Sequence, residues 1–273
     1  MAAEPDRGLA EINGARLYYE IAGDGEPLVL NHAGIADGRM WDRHLGAFAR
    51  RYRVIRYDMR GFGRSAMVEG PFSHHEDLHA LLDSLAIGRA FFVGCSMGGR
   101  TIIDFALKHL ERVCALVLVG SAVSGFEVEG DPPEQWEELV AADNAGDLER
   151  ISELEVQIWV DGPYRGPDQV DQGVRDLVRE MNLIALKNEA SGLGDERVLE
   201  PPAVNRLAEI QVPTLIIVGD RDRPEIIEAA DLLERSIPQA RRAVIPGTAH
   251  LPNMEKPQEF NRFVLEFLEG LRV

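Results

Sequence analysis

Apolar runs of four to seven residues recur along this chain, and between them apolar residues return every three or four positions. The runs have the length of buried strands, and the intervening segments have the period of amphipathic helices. The pattern predicts strands at 27–30, 52–57, 90–93, 115–119, 212–218 and 242–245. Strands that alternate with helices in this way predict a mostly parallel sheet covered on both faces.

Two stretches depart from this alternation. Asn13-Gly14 is a favoured hairpin turn, and it separates two short alternating segments within residues 9–22. Residues 125–202 show helical segments but no convincing strand. Because this stretch begins just after the predicted strand 115–119, we expect it to lie over the carboxyl ends of the strands, where open sheets bind ligands. We therefore predict a core domain, 1–124 with 203–273, and a helical cap (lid), 125–202.

Composition excludes several classes of protein. The chain has 273 residues, is 45% hydrophobic and carries a net charge of −17, which disfavours nucleic acid and anionic membranes as partners. The predicted cap holds 20 acidic and 6 basic residues, so it contributes −14 of that charge. Such a charge is typical of a solvated helix face, and it slightly favours neutral or cationic substrates.

Targeting and redox signals are weak. The first seven residues lack the basic and apolar regions of a secretory signal, and the longest apolar runs are too short to span a bilayer. Two cysteines, Cys95 and Cys114, do not form a disulfide framework. We expect a soluble, cytoplasmic, metal-free protein without a cofactor, either a monomer or a homodimer.

The strongest chemical signal follows the predicted strand 90–93. Gly94-Cys95-Ser96-Met97-Gly98 matches G-x-S-x-G, and the residues after it have helical period. A nucleophilic serine has to stand on a sharp, strained turn, and glycines let the turn close and the helix pack against the strand. This context also places Ser96 at a helix N-terminus, where free N–H groups favour developing negative charge.

A serine nucleophile needs a base, a group that orients the base, and oxyanion donors. His250 lies in a loop directly after the last predicted strand. Asp222 follows the strand before it and is our choice to orient His250, with Asp220 as the alternative. The order Ser…Asp…His is one of those known for this triad. The predicted oxyanion donors are the backbone N–H groups of Met97 and Gly34.

These features together resemble the α/β-hydrolase superfamily over essentially the whole chain. The resemblance rests on His32-Ala33-Gly34, on Asp58-x-Arg60-Gly61-x-Gly63-x-Ser65, on the Ser96 turn, and on Gly219-x-x-Asp222 and Gly247-x-x-His250. It implies an α/β-hydrolase fold with a helical cap inserted after the strand that follows the nucleophile. Within the superfamily, the chain is similar to capped esterases, 3-oxoadipate enol-lactonases and cofactor-free haloperoxidases. Ala33 stands where many members have glycine.

Two other motifs have simpler explanations. His75-Glu76-Asp77-Leu78-His79 matches the zinc motif H-E-x-x-H, but it lacks an evident third ligand and fits the first turn of an amphipathic helix. Gly61-Phe62-Gly63-Arg64-Ser65-Ala66 imitates a dinucleotide fingerprint without the helix that such a fingerprint opens. We expect it to fix a loop, with Asp58 and Arg60 making local bonds.

The resulting hypothesis is a carboxylesterase that cleaves esters of small, mainly apolar molecules through an acyl-enzyme, with Ser96, Asp222 and His250 as its triad. Candidate substrate-binding residues are Ile35, Trp136, Trp159 and Leu251. An enol-lactonase type of lactone hydrolase would use the same triad, and because its substrate is anionic we would expect an arginine such as Arg165 or Arg175 in the pocket. A non-catalytic small-molecule receptor on the same fold is the alternative from another class.

Overall fold

The computed structural model describes residues 5–127 and 132–271. In chain order, its strands are β1 (Asp6–Ile12), β2 (Ala15–Ala22), β3 (Glu26–Asn31), β4 (Tyr52–Tyr57), β5 (Gly70–Phe72), β6 (Ala90–Cys95), β7 (Val113–Val119), β8 (Gly194–Glu196), β9 (Thr214–Gly219) and β10 (Ala240–Ile245). Its α-helices are α1 (Asp42–Phe48), α2 (His74–Ser84), α3 (Met97–Lys108), α4 (Trp136–Ala145), α5 (Leu148–Glu155), α6 (Gln172–Glu189), α7 (Pro224–Ser236), α8 (Pro252–Glu255) and α9 (Pro257–Glu269).

Eight strands form one sheet in the order β1-β2-β4-β3-β6-β7-β9-β10. The hairpin β1-β2 and the pair β2-β4 are antiparallel, and every other pair is parallel. The predicted mostly parallel sheet is therefore confirmed, as is the hairpin around Asn13-Gly14.

The central strands read as continuous apolar runs because both of their faces are buried. Alternate residues of β6 face two separate cores: Phe92 packs on one side of the sheet, and Phe91 and Val93 pack on the other. The helices that cover the two faces complete these cores. The alternation observed in the sequence is thus the direct consequence of a sheet sandwiched between two helical layers.

Helices α4, α5 and α6 lie between β7 and β9 in sequence, and α5 continues into a π-helical turn, Val156–Asp161. This segment packs onto the sheet through buried residues such as Val160, Val178 and Met181. Residues 128–131, at the start of the predicted cap, lie outside the described residues.

The expectation that residues 125–202 hold no strand was wrong. The three residues of β8 pair in parallel with β5 as a separate two-stranded sheet. All three are exposed, and none is a large apolar residue, so β8 carries no hydrophobic signal. Backbone pairing joins it to β5, and Arg197 N–H continues the ladder to Phe72 O at 2.7 Å.

Candidate active site

Ser96 is the single residue between the end of β6 and the start of α3. Its φ of +51° lies in the left-handed region, which costs a residue with a side chain about 1–3 kcal/mol. Neighbouring backbone holds this conformation: Ser96 N–H donates to Val119 O at 2.8 Å, and Ser96 O accepts from Arg100 N–H at 3.0 Å. The turn therefore has the strained geometry that exposes a nucleophile at a helix N-terminus.

Gly94 and Gly98 permit this turn because neighbouring backbone atoms lie where a side chain would have to be. A Cβ on Gly94 would lie 2.4 Å from Gly98 O, and one on Gly98 would lie 2.5 Å from both Asn31 O and His32 O. These neighbours are backbone atoms, which cannot move aside as a flexible side chain can. Any side chain at either position would therefore push α3 away from β6 or β3.

Asp222 and His250 form a buried hydrogen-bonded pair. Asp222 Oδ2 accepts from His250 Nδ1 at 3.0 Å, and each residue is 2% exposed. Asp222 Oδ1 accepts from Arg223 N–H at 2.8 Å. Since a carboxylate can only accept, this bond requires a proton on Nδ1, and the neutral tautomer that fits it has its lone pair on Nε2. Asp220 is exposed and accepts instead from Gly247 N–H.

This pair lies beside the strand end that holds Ser96. Gly120 follows Val119, the residue whose carbonyl accepts from Ser96 N–H. A Cβ on Gly120 would lie 3.2 Å from His250 Nδ1 and 3.4 Å from Asp222 Oδ2. The structure thus brings the three predicted triad residues to one edge of the sheet.

Arg165 ties the loop of His250 to the segment between β7 and β9. Its guanidinium donates to Val160 O and Asp161 O on that segment, and to Gly247 O and Glu255 on the other side. Glu255 Oε1 in turn accepts from Ala249 N–H at 2.8 Å. The ion pair of Arg165 and Glu255 therefore helps to fix the backbone of the loop that carries His250.

The predicted oxyanion donors also come together. Asn31 pairs with Gly94, so the loop after β3 lies beside the Ser96 turn, and a Cβ on Gly34 would lie 3.6 Å from Met97 Cβ. Ala33 N–H approaches Met40 Sδ at 3.3 Å. Ala33 N–H is thus engaged with a thioether, and Gly34 N–H stays the predicted donor of this loop.

His32 has a structural role in the same loop. Its Nδ1 donates to Ala33 O at 2.8 Å, and its Nε2 accepts from Met59 N–H at 2.9 Å. Burial lowers the pKa of His32. A buried neutral imidazole with both ring nitrogens bonded holds the loop in place and is not free to act as a base.

The segment that imitates a dinucleotide fingerprint is held by hydrogen bonds of Asp58 and Arg60, but the partners of Arg60 are farther away along the chain than the expected local bonds. Asp58 accepts from Gly38 N–H and from Arg64 N–H, each at 2.8 Å. Arg60 donates two hydrogen bonds to Asp77, at 2.7 and 2.8 Å. These contacts fix the loop between β4 and β5.

A cavity of about 340 Å³ opens beside Gly34, Ile35 and Met97. Its wall also contains side chains that sequence reasoning missed, including Met67, Phe72, His74, Glu155, Asn182 and Glu189. These residues come from the loop before β5, from β5, α2, α5 and α6, which no local motif links. Their convergence had no signal in the sequence.

The four predicted substrate-binding residues have different fates. Ile35 lines this cavity, and the Trp159 ring lies 4.7 Å from the His250 ring. The prediction was wrong for Leu251, which is fully buried in the core directly after His250. For Trp136 it stays a prediction: this side chain is 50% exposed in the first turn of α4 and lines an adjoining cavity of about 400 Å³, whose wall shares Glu155 and Glu189 with the first cavity.

The two histidines of the H-E-x-x-H motif do not act together. Glu76, His79 and His109 are the only group within residues 5–127 and 132–271 with three potential metal-ligand atoms close together, and His75 is not part of it. The rings of His79 and His109 stack in nearly parallel planes, 10° apart, with centroids separated by 4.0 Å. Lone pairs of stacked rings run parallel and do not converge on one ion.

Among the described helices, none is long and apolar enough to cross a membrane.

Comparisons with known proteins agree with this fold. The model of the α/β-hydrolase fold family matches residues 26–257, and the chain belongs to that family. It is 32% identical to a 2-hydroxy-6-oxononadienedioate/2-hydroxy-6-oxononatrienedioate hydrolase from Burkholderia vietnamiensis, over 93% of this chain and 91% of that protein.

Two solved structures cover nearly the whole chain. One is an enol-lactonase from Burkholderia xenovorans, with a TM-score of 0.78, 25% identity, and coverage of 96% of this chain and 100% of that one. The other is a thermophilic esterase from Thermogutta terrifontis, with a TM-score of 0.77, 26% identity, and coverage of 98% and 100%. Enol-lactonase, esterase and other hydrolase relatives place the chain in a hydrolase enzyme family with small-molecule substrates.

Proposed function

We propose that this protein is a serine hydrolase that cleaves carboxylic esters of small molecules through an acyl-enzyme intermediate. The observation that carries the proposal is the strained Ser96 turn next to the buried Asp222–His250 pair. Many folds contain buried Asp–His pairs, but the combination with a left-handed serine at a helix N-terminus matches the requirements of nucleophilic catalysis.

The chemistry follows from the positions of these groups. Ser96 Oγ attacks the ester carbonyl while His250 Nε2 takes its proton, and His250 then gives that proton to the leaving alcohol. Asp222 keeps the proton on Nδ1 and stabilises the imidazolium. The N–H groups of Met97 and Gly34 bind the oxyanion, and each such donor is worth about 10²–10³ in rate. Water activated by His250 releases the acyl group.

The helical segment between β7 and β9 supports a cap role in this reaction. Residues 125–202 place α5 and α6 against the cavity beside Gly34, and Trp159 against His250. We propose that this segment is the cap and that it determines which esters reach Ser96. The segment contacts the loop of His250, which follows the carboxyl end of β10, and parallel sheets bind ligands at that edge.

Ester hydrolysis is favoured over hydrolysis of an anionic enol-lactone because the candidate arginines are neutralised. Arg165 binds Glu255 at 2.5 Å, and Arg175 binds Asp161 at 2.8 Å and Glu153 at 2.9 Å. Each guanidinium is thus satisfied within the protein. An anionic substrate would have to displace a carboxylate to use either of them.

The test is a panel of 4-nitrophenyl acetate, butyrate and octanoate, run beside simple lactones. We expect the wild type to hydrolyse the esters and Ser96→Ala to lose at least about 10³-fold in kcat/KM with unchanged thermal stability. Ser121→Ala is the matched control, because its buried hydroxyl bonds only to Ala122 O among the described residues. Equal activity of wild type and Ser96→Ala would overturn the proposal, and so would turnover of lactones alone.

A further inference from the structure

The cavity beside Gly34 and Met97 contains two charged groups that are already neutralised. Arg60 makes two hydrogen bonds to Asp77, and Glu196 accepts from Arg100 at 2.6 Å. Charges compensated by a bound partner attract a ligand only weakly. The electrostatic character of the cavity therefore depends on its remaining ionisable groups.

The remaining acidic groups are Glu155 and Glu189, and the remaining basic group is His74. Glu155 Oε2 accepts from Asn182 Nδ2 at 2.6 Å, which is a neutral donor. Within residues 5–127 and 132–271, neither glutamate forms an ion pair with a basic side chain. Burial, together with the negative charge of Glu189, raises the pKa of Glu155. Two neighbouring carboxylates without a counterion favour the binding of a cation.

His74 is an independent sign that this cavity receives a ligand. It lines the cavity, is 5% exposed, and its Nδ1 has no hydrogen-bond partner among the described residues. Buried polar atoms of this kind are rare in native proteins. Burial lowers the pKa of His74 to about 3, so the ring is neutral and adds no positive charge.

The rest of the wall suits the carbon atoms that surround an ammonium nitrogen. The Phe72 ring packs edge-on against His74 at 5.1 Å, and Phe62 lies 6.2 Å from His74. The guanidinium of Arg60 already lies over the Phe72 ring, 5.1 Å from its centroid, so Phe62 offers the aromatic surface of the wall that is not covered by this cation. Met67 and Met97 add polarisable thioethers. Aromatic faces and sulfur atoms beside carboxylates are a setting in which alkylammonium groups bind well.

We propose that this cavity binds the ammonium group of a cationic ester substrate, with Glu155 and Glu189 as the residues that select for positive charge. The proposal rests on the proposed hydrolase function, and it goes further by naming the substrate class. It also explains why the chain keeps its arginines paired with acids near the site, because a free guanidinium would oppose such a substrate.

The kinetic test uses ester pairs that differ only in charge. One pair places the charge in the alcohol: acetylcholine and its neutral isostere 3,3-dimethylbutyl acetate. The other places it in the acyl group: the 4-nitrophenyl esters of 4-(trimethylammonio)butanoate and 5,5-dimethylhexanoate. We expect kcat/KM to favour the cationic ester by about 10-fold or more in one pair, and this preference to shrink in 0.5 M salt. No preference in either pair, or a preference for the neutral ester in both, would overturn the proposal.

Variants assign the preference to its residues. Glu155→Gln keeps the shape and the bond to Asn182, and Glu189→Gln removes the second charge. The double variant is expected to reduce the preference to about 2-fold or less while it still hydrolyses the neutral ester. Glu149→Gln is the matched control, since it removes an exposed charge from the same helix, α5, and should keep the wild-type ratio. A wild-type ratio in the double variant would show that these carboxylates do not select the substrate.

Calorimetric binding separates this proposal from the proposed function. Choline and 3,3-dimethylbutanol are titrated into the Ser96→Ala protein, which needs no turnover. Tighter binding of choline that is lost in the Glu155→Gln/Glu189→Gln background supports the cation site. This holds even if the wild type hydrolyses neither the cationic nor the neutral esters, and in that case only the hydrolase proposal fails. Choline binding no tighter than 3,3-dimethylbutanol, in a protein that does hydrolyse neutral esters, overturns the cation site alone.

Discussion

Replacing Asp222 by asparagine tests how the structure fixes the tautomer of His250. The two carboxylate oxygens have different donors: Oδ1 accepts from Arg223 N–H at 2.8 Å, and Oδ2 accepts from His250 Nδ1 at 3.0 Å. An asparagine at this position has only one oxygen. The backbone N–H of Arg223 cannot become an acceptor, so we expect the amide oxygen to stay there and the amide NH₂ to face His250.

That orientation reverses the imidazole. An NH₂ group facing Nδ1 requires a lone pair on Nδ1, so the ring proton moves to Nε2, and His250 can no longer accept the Ser96 proton. The loss of imidazolium stabilisation adds to this effect. A wrong tautomer of the triad histidine costs about 10⁴ in kcat, which corresponds to about 5 kcal/mol of transition-state stabilisation.

The assay is kcat and KM for 4-nitrophenyl acetate, with thermal unfolding as a check of folding. Asp222→Asn should lose about 10⁴-fold in kcat with little change in KM. Asp220→Asn is the matched control, because Asp220 accepts from Gly247 N–H and makes no hydrogen bond to His250 in the described structure. This variant should lose less than about 10-fold in kcat. The reasoning is refuted if Asp222→Asn retains a tenth of the wild-type rate, or if both variants lose the same amount.

Further predictions concern stability. Burial raises the pKa of Asp104 to about 6, so between about pH 4 and pH 6 the folded state keeps a proton that the unfolded chain releases, and the free energy of unfolding should fall as pH rises through this range. Asp104→Asn should remove this dependence and stabilise the protein at pH 7.5 by up to about 3 kcal/mol in urea unfolding. Arg165→Met should cost about 3–5 kcal/mol, because Glu255 is left buried without its partner, and adding Glu255→Gln should recover part of that loss, whereas no recovery would contradict the account. Gly98→Ala should cost about 3 kcal/mol or more, while Gly46→Ala, which has open space around it, should be neutral or stabilising; equal effects would show that the approach of α3 to β3 is not tight.

The parts that sequence reasoning reached are those set by short stretches of chain. The Ser96 turn could be predicted because the strand, the glycines and the helix that define it are contiguous. Asp222 and His250 could be predicted to lie near Ser96 because carboxyl ends of parallel strands meet at one edge of a sheet. To predict the hydrogen bond between Asp222 and His250, it was enough to place the ends of the two neighbouring strands β9 and β10 correctly.

The cavity wall was out of reach for a physical reason. Glu155 and Asn182 come from two helices whose packing depends on long-range contacts, and no local rule sets which faces meet. Arg165 illustrates the same limit. The sequence offered it as a candidate pocket residue for the enol-lactonase alternative, but its ion-pair partner, Glu255, is 90 residues away and could not be predicted. Leu251 was misassigned because proximity to His250 in sequence does not determine which way a side chain points.

The central claim is that Ser96 is a nucleophile activated by His250. The most direct measurement is peptide-level mass spectrometry after reaction with a fluorophosphonate, which forms a stable covalent adduct with activated serines. The account predicts one adduct per chain on the peptide that contains Ser96, with no adduct in Ser96→Ala and labelling at least about 10³-fold slower in His250→Ala. An unlabelled protein, an adduct on another residue, or labelling at the wild-type rate in His250→Ala would contradict it.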